Sequence, residues 1–447
     1  MGILLGCIAD DFTGASDLAA ILSRSGIAVN LRLGVPSPAD EDDVAAFEII
    51  ALKCRTAPRE RAVSEALEAW SWLAARGARR AYWKYCSTFD STPEGNIGPV
   101  ADALLDAVAD ADADADAGAT DRAPRQTIHC PAFPENGRSV YHSVLFVAGV
   151  PLDESPMREH PLTPMTDANL VRVLAPQVAG SVGAVTWPTV RGGHEPLRAR
   201  LGALADDGVE HVIVDALDAD DLLAAVRATE HLPLLCGGSA LALHLPALFR
   251  VRGYLAGVAE RTPAPPPDGG RIVLAGSCSE MTRRQVARFA ERAPLFRLDP
   301  IALADGGQLD EALAWLAACA PGDTPILAAS AAPADVAASQ EALGRERAGE
   351  VVEAALGRLA VAAVEGGRRG LVIAGGESSG AVCQALGVER LGIGREIAPG
   401  VPWTHASRDG GDIALALKSG NFGDEDFFGA ALAALDEPPP PTSPPLD

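Results

Sequence analysis

Lysine is nearly missing from this chain of 447 residues: of its 37 basic residues, only Lys53, Lys84 and Lys418 are lysines. Arginine fills every other cationic position, so the retained lysines mark places where a compact ammonium rather than a planar fork is needed. Positive charge is scarce as a whole. Sixty acidic residues leave a formal net charge of −23 and a pI near 4.7, which argues against nucleic acid or an anionic membrane as partner. No apolar run reaches the roughly 18 residues of a membrane span. The short apolar start lacks the basic flank of a signal peptide and reads as a buried strand. The eight cysteines stand singly at 7, 54, 86, 130, 236, 278, 319 and 383, with no C-x-x-C pair. Disulfide and zinc frameworks are thereby disfavoured, and reduced thiols in a cytoplasmic protein are expected. Cys54, Cys86, Cys130, Cys236 and Cys278 fall where an apolar run meets a turn. Small packed residues are the favoured reading there, and a catalytic sulfur the other.

What is present is alternation. Short apolar runs recur between longer helical patterns, which predicts α/β architecture with mainly parallel sheets. Strands are expected at 3–8, 28–33, 47–52, 81–85, 127–130, 182–186, 211–214 and 233–236, and helices between most of them. Ser139 to Leu152 reads as a β-hairpin around Ala148 and Gly149. A Pro/Gly linker over 256–270 separates a first domain at 1–255 from a second at 271–435. In the second, strands are expected near 271–275, 325–329 and 371–374, with helices near 280–292, 309–319 and 340–365. An Ala-Asp tract at about 109–119 reads as a solvated insertion, and the Pro-rich tail 436–447 as disordered.

Three places share one construction, an apolar strand, a tight Gly/Ser turn and a helix: Leu235 to Ser239, Ala275 to Ser277 and Ala374 to Gly380. A helix N-terminus offers unpaired N–H groups and partial positive charge, and glycine lets an anion approach the backbone. An acidic protein can hold phosphate this way with few basic side chains, at strand C-terminal ends where α/β ligands sit. The chain has neither G-x-x-x-x-G-K-[ST] nor G-x-G-x-x-G, so a Walker A loop and a typical dinucleotide loop are both excluded. Gly376 to Gly380 does fit the G-x-S-x-G nucleophile elbow, with Ser378 as nucleophile. The one downstream histidine is His405, too close for the usual triad order.

The first domain carries denser constellations. Asp10 and Asp11 follow the first strand directly and precede a helix starting near Gly14. Adjacent carboxylates at a strand end point to opposite sides, so one can meet a ligand while the other orders the loop. Capping is expected of Thr13 or Asp17 rather than of this pair. Lys53 and Arg55, if extended, share a face and present two cations to one anion. Lys84 closes another strand beside hydroxyls and a carboxylate (Ser87, Thr88, Asp90, Ser91). Lys418 precedes the Gly-rich turn Ser419 to Gly423. Pro131 to Arg138 and His160 to Asp167 are polar segments that read either as substrate loops or as structured turns.

Together these segments resemble the four-carbon acid sugar kinase family over nearly the whole chain. The motifs that carry it are Ala9 to Asp17, Lys84 to Pro99, Pro131 to Arg138, His160 to Leu170, Gly237 to Ser239, Ala275 to Ser277, Gly375 to Ser378 and Ser419 to Gly423. Lys-Tyr-Cys-Ser-Thr-Phe-Asp-Ser-Thr at 84–92, and the Phe427-Phe428 pair, are most similar to the 3-oxo-tetronate 4-kinase branch. The threonate and erythronate branch more typically has Leu-Arg where this chain has Pro93-Glu94.

The resemblance implies an N-terminal domain for the sugar acid, a C-terminal domain for ATP with Mg²⁺, and an active site in the cleft between them. It implies ATP contacts from Ser277, Gly375, Gly376, Glu377, Ser378, Ser379 and Gly420, with Asn421 and Gly423 in the same turn. Sugar-acid contacts are implied at Asp10, Asp11, Lys53, Arg55, Lys84 and Ser91. Arg55, with Lys53 or Lys84, is expected to hold the substrate carboxylate. Asp11 is the first choice for the group that deprotonates the 4-hydroxyl, and Asp90 the second, with Lys84 beside them. No metal ligand is assigned, and a homodimer stays open. The alternatives are a D-threonate or D-erythronate 4-kinase, a non-catalytic sugar-acid or nucleotide sensor, and a serine hydrolase using Ser378.

Overall fold

The computed structural model describes residues 2–37, 44–115, 125–160, 163–258, 265–408 and 410–437. The chain forms two compact units, Met1–Arg261 and Thr262–Asp447.

In the first unit the strands are β1 (Leu5–Ala9), β2 (Val29–Leu33), β3 (Phe47–Ala51), β4 (Ala81–Lys84), β5 (Thr127–Cys130), β6 (Arg138–Tyr141), β7 (Val144–Val147), β8 (Val150–Pro151), β9 (Ser181–Val185), β10 (Val209–Val214) and β11 (Leu234–Gly237). The main sheet runs β2-β3-β1-β4-β11-β5-β10-β9, and its neighbouring strands all pair in parallel. β1, β3, β4, β5 and β11 are buried along their whole length. That is why they read as unbroken apolar runs rather than alternating ones. From β1 the chain goes to β2 and β3 on one side and then to β4 on the other. The loops after β1, β3 and β4 therefore meet where the strand order reverses, the place where open α/β sheets bind ligands.

Beside this sheet, β6, β7 and β8 form a three-stranded antiparallel meander. The expected hairpin around Ala148 and Gly149 is its second half; an equally short turn at His142 and Ser143, both at positive φ, makes the first. Asp215 holds that turn by accepting the N–H groups of His142 (2.6 Å) and Ser143 (2.8 Å). The helix Ile97–Ala115 runs on into the Ala-Asp tract, since alanine favours helix and nothing in the tract forbids it. Residues 116–124 lie outside the described residues.

A chain of buried polar groups crosses the core. Tyr85 OH meets His129 Nδ1 at 3.1 Å, His129 Nε2 meets His211 Nδ1 at 3.1 Å, and His211 Nε2 meets Asp102 Oδ1 at 2.8 Å. The carboxylate can only accept, so His211 donates to it from Nε2; with His129 donating from Nε2 to His211 and Tyr85 donating to His129 Nδ1, every member is satisfied. Burial, aided by His211, pushes the His129 pKa well below its ordinary value.

The second unit has β12 (Gly270–Ala275), β13 (Leu295–Arg297), β14 (Ile326–Ala328), β15 (Arg368–Ala374), β16 (Arg390–Ala398), β17 (Val401–Ala406) and β18 (Ile413–Lys418), in the order β13-β14-β12-β15-β18-β17-β16. β13, β14, β12, β15 and β18 pair in parallel, whereas β17 and β16 are added antiparallel. Here too the order reverses beside the first strand, between β12 and β15. The sequence reading missed β13, β16, β17 and β18. It also ran the helices Pro333–Leu343 and Arg345–Glu365 together, although Gly344 at φ 82° separates them. The core joins Val273, Val372, Trp403, Phe427 and Phe428, so the Phe427-Phe428 pair is packing.

The last helix, Phe427–Asp436, is tied down by Arg271–Asp436 (2.8 Å), and Glu437 pairs with Arg395 (2.6 Å). The expected disordered tail thus begins no earlier than 438, outside the described residues; the expected linker lies partly outside them, at 259–264. Among the described residues no helix is long and apolar enough to cross a membrane.

Candidate functional site

In the first unit, the loops after β1, β3 and β4 bring Asp10, Asp11, Arg55, Lys84 and Asp90 together. Arg55 is the hub. Its Nε and one terminal nitrogen reach Asp10 at 2.7 and 2.9 Å, Asp11 lies at 2.8 Å and Asp90 at 3.6 Å. A planar fork suits this shared geometry, which a point charge could not span. Asp11 also caps the helix Phe12–Ser23, accepting from Gly14 N (3.0 Å) and Thr13 Oγ1 (2.8 Å). The cap therefore falls to Asp11, not to Thr13 or Asp17. Asp17 is buried and accepts a 2.5 Å bond from Ser239.

The two adjacent carboxylates are driven apart electrostatically. Burial pushes the Asp10 pKa up, and the Arg55 guanidinium does not fully offset it. Burial acts on Asp11 as well, but Arg55, Lys84 and the bonds from Thr13 and Gly14 outweigh it and hold Asp11 below the usual carboxylate range. Desolvation opposes the charge on Arg55, yet Asp10 and Asp11 hold it more firmly protonated than usual. Carboxylates pushed in opposite directions are an arrangement that divides acid, base and anchoring roles.

Lys84 is the unpaired member. It is 2% exposed, and its ammonium has no hydrogen-bond partner among the described residues, though it acts electrostatically on Asp10 and Asp11. A side chain at Gly14 would come 2.7 Å from Lys84 Nζ and 2.3 Å from Asp11 Oδ1, so glycine there keeps room for both. A buried cation without a partner is costly unless something charged visits it.

Asp90 stands on strained backbone: Phe89 and Asp90 have φ of 64° and 31°. Non-glycine residues in this region need external support and cluster at functional sites. Support comes from the Phe89 ring set edge-on against Tyr85 (5.3 Å) and from Thr88, which donates to Asp90 Oδ1 at 2.6 Å. Among the described residues, the other carboxylate oxygen has the 3.6 Å Arg55 contact alone.

Two expected contacts are placed differently. β3 ends at Ala51 and the chain turns, so Lys53 is exposed while Arg55 turns inward; the two do not share an extended face. Ser91 is buried and donates to Gln177 (3.2 Å), while its N–H meets the Met165 sulfur at 3.4 Å, which makes it a brace of the loop. His160 is engaged by Thr163, whose N–H and hydroxyl lie 3.2 and 2.9 Å from Nδ1. Asn96 was missed: its amide donates to the carbonyls of Cys54 (2.7 Å) and Ala57 (2.8 Å), holding the Arg55 loop. Its sequence signal is an amide side chain after Gly95, directly before the helix that starts at Ile97.

In the second unit, three turns after β12, β15 and β18 converge. Gly276 and Ser277 both donate their N–H to Ala374 O at 3.0 Å, and Gly375 N bonds Lys418 O at 2.8 Å. These N–H groups are therefore spent within the protein. The helix Gly376–Ala385 follows directly, and the N–H groups of a helix's first turn find no acceptor within the helix itself. Gly375, at φ 133°, is the turn that aims them.

Ser378 Oγ sits over Gly276, where an added Cβ would meet it at 2.1 Å, and has no hydrogen-bond partner among the described residues. Ser379 is committed to Gly375 O at 2.8 Å. Ser277 Oγ accepts from Ser279 N at 3.2 Å and faces Gly420, whose added Cβ would lie 2.5 Å away. Glu377 and Asn421 are exposed, and Gly423 (φ 74°) lets the chain pass over the Phe427 ring. A pocket of about 430 Å³ opens alongside, lined by Arg283, Arg297, Asp299, Ser330 and Asp335. Ser330 joins it to the turns by donating to Ser277 O at 2.5 Å.

A hydrolase triad is not assembled. His405 pairs with Ala414, four residues back along β18 from Lys418, which puts it ~13 Å along the strand from the Ser378 end. Catalytic sulfur fares no better: burial pushes Cys86, Cys130 and Cys236 up to about 12 and Cys54 higher still. Asp102, Glu210 and His211 place ligand atoms within 4.8 Å of one another. Arg125 already pairs with Glu210, and His211 with Asp102, so that cluster is closed by its own charges.

Comparison with known proteins agrees with this division. A family model described as a sugar-binding N-terminal domain matches residues 5–245, and one described as a nucleotide-binding C-terminal domain matches 272–428. The chain is 50% identical to the 3-oxo-tetronate kinase of Burkholderia multivorans, covering 97% of each chain. It is 48% identical to that of Cupriavidus necator, again over 97% of each. A solved Salmonella typhimurium protein, provisionally described as a tRNA synthase, superposes with a TM-score of 0.82 at 37% identity, covering 96% of this chain and 98% of that one. The chain belongs to the four-carbon acid sugar kinase family, on the branch of the 3-oxo-tetronate kinases.

Proposed function

We propose that this protein is an ATP-dependent kinase that transfers the γ-phosphoryl group of ATP to the 4-hydroxyl of 3-oxo-tetronate. The observation that carries the acceptor side is Lys84, a buried side chain whose ammonium has no hydrogen-bond partner among the described residues, beside the carboxylates of Asp10 and Asp11. Its charge matches the carboxylate of a small acid, and the neighbouring carboxylates suit hydroxyl groups.

Arg55 is already shared by Asp10, Asp11 and Asp90. Its role is to hold those three in register rather than to bind the acid itself. Asp90 is then the better choice for the group that orients the 4-hydroxyl and takes its proton, because Asp11 is spent on the helix cap. Lys53 and Ser91 have no part in this scheme.

ATP enters as its Mg²⁺ complex, a substrate that brings its own charge neutralisation. The N–H groups of Gly376, Glu377 and Ser378, with Ser378 Oγ and Ser277 Oγ, receive the phosphates at a helix N-terminus. The adjoining pocket takes the nucleoside. Little covalent chemistry is left to the protein; rate comes from alignment and from charge placed against the transferring group.

Coupled measurement of ADP release with 3-oxo-tetronates, D-threonate and D-erythronate tests the reading. Turnover with a 3-oxo-tetronate is expected. Turnover with D-threonate or D-erythronate alone would move the chain to the other branch, and ATP binding without ADP from any of them would make it a sensor.

A further inference from the structure

Lys418 ends β18 and is fully buried. Its ammonium has three N–H groups and meets three acceptors: Ser419 O at 2.8 Å, Gly420 O at 2.8 Å and Thr282 Oγ1 at 3.3 Å. Gly420 O also accepts from Ser279 Oγ (2.7 Å) and Thr282 Oγ1 (2.8 Å). Two consecutive carbonyls are thus drawn to one inward point. In a trans peptide the C=O and the following N–H point in opposite directions. Pulling in Ser419 O and Gly420 O therefore turns out the N–H groups of Gly420 and Asn421. Neither of these has a hydrogen-bond partner among the described residues.

We propose that Lys418 is a positioning residue for the nucleotide: its ammonium pulls two carbonyls inward and so presents the Gly420 and Asn421 N–H groups as an anion-binding pair. Successive outward N–H groups make such a concavity elsewhere in proteins. This rests on reading the second unit's turns as the nucleotide site. It also explains why lysine survives here in a chain that uses arginine almost everywhere, since a planar guanidinium cannot aim three donors into so compact a space.

The groups facing Lys418 are uncharged: the hydroxyls of Ser279 and Thr282, the Phe427 ring at 5.8 Å, and the backbone carbonyls. Burial alone brings its pKa down to about 7. A neutral amine has one N–H fewer, so raising the pH through neutrality loosens the turn. Nucleotide binding, by linkage, should draw a proton onto the protein.

The test is calorimetric titration of the full chain with MgATP from pH 6 to 9, in buffers of different ionisation enthalpy, for the wild type and for Lys418→Met. The wild type should bind more weakly as pH rises and take up protons at pH 8. K418M should bind about tenfold more weakly at pH 6, without that pH dependence. Equal affinity and equal pH profiles in the two proteins would overturn the proposal. So would zero proton uptake by the wild type at pH 8, a readout that stands even where the variant does not fold. A wild type that binds no nucleotide at any pH would take down the underlying reading as well, and the proposal with it.

Discussion

Replacing Arg55 by methionine removes a cation that three carboxylates share. At separations near 3 Å, each attraction is on the order of 5 kcal/mol at an effective dielectric of 20, before desolvation is counted. Breaking a buried pair by removing one partner costs about 3–5 kcal/mol, because the remaining charge is stranded. The Arg55 side chain is 24% exposed, and Lys84 remains nearby, so the lower end, about 3 kcal/mol, is expected. In a unit of this size that corresponds to a Tm drop of roughly 6–12 °C.

The sign with pH follows from Asp11. Its folded pKa lies below the unfolded value, so its contribution is present above about pH 4 and lost as pH falls through the folded pKa. Without Arg55, the desolvation of Asp10 and Asp11 is no longer offset, so in the variant these carboxylates protonate at higher pH and relieve part of the penalty; the gap between R55M and the wild type should be widest at neutral pH and should narrow towards pH 4. Thermal unfolding at pH 7.5 and 4.5 reads both features. A shift under 2 °C at pH 7.5, or a gap that does not change with pH, would refute the account of Arg55 as the hub. Arg55→Lys should recover only part of the loss, since an ammonium cannot bridge all three carboxylates.

Lys84→Met should leave Tm unchanged or raise it, while lowering kcat/KM for the acid sugar roughly 10–100-fold, the range of one charge-assisted bond. MgATP affinity should be unaffected, and a kcat/KM within twofold of wild type would remove Lys84 from the site. Gly420→Ala would set a Cβ 2.5 Å from Ser277 Oγ and 3.0 Å from Ser279 Oγ; weaker MgATP binding with intact acid-sugar binding is expected in calorimetry. His129 is held neutral by burial, so the unfolded chain protonates first as pH falls below about 6.5 and stability is lost by up to about 1.4 kcal/mol per pH unit. Histidine-to-glutamine replacement at 129 should flatten that slope between pH 6.5 and 5.5 in denaturant titrations; an unchanged slope would contradict it. Native thiol labelling should spare Cys54, Cys86, Cys130, Cys236 and Cys383, whose pKa values burial raises; rapid modification of Cys86 would reopen sulfur chemistry.

The first unit's strands and most helices were legible because each strand is buried on both faces and therefore apolar throughout. β16 and β17 escaped the same reading because their apolar runs are interrupted, in β16 by glycines and charges (Gly392, Gly394, Arg395, Glu396) and in β17 by Pro402, Thr404 and His405. The candidate residues were legible as strand-end motifs, their roles less so. Asp11 looked like a ligand group and turned out also to cap a helix. Arg55 looked like a free cation and is shared among the protein's own acids. Ser91 looked exposed to substrate and braces a loop against Gln177.

By itself, the sequence determined the alternating α/β class, the glycine turns at strand ends, the absence of the usual nucleotide signatures and the two lysines worth following, Lys84 and Lys418. Tertiary structure alone decided which charges are satisfied and which are left over. Composition lists cations and carboxylates without saying which pairs lie within 3 Å. Folding put Arg55 among three carboxylates, left the Lys84 ammonium unpaired, and bent two carbonyls toward Lys418 so that the N–H groups beyond them face outward. A charge binds a ligand only when the fold has not already neutralised it, and that depends on distances between residues far apart in the chain.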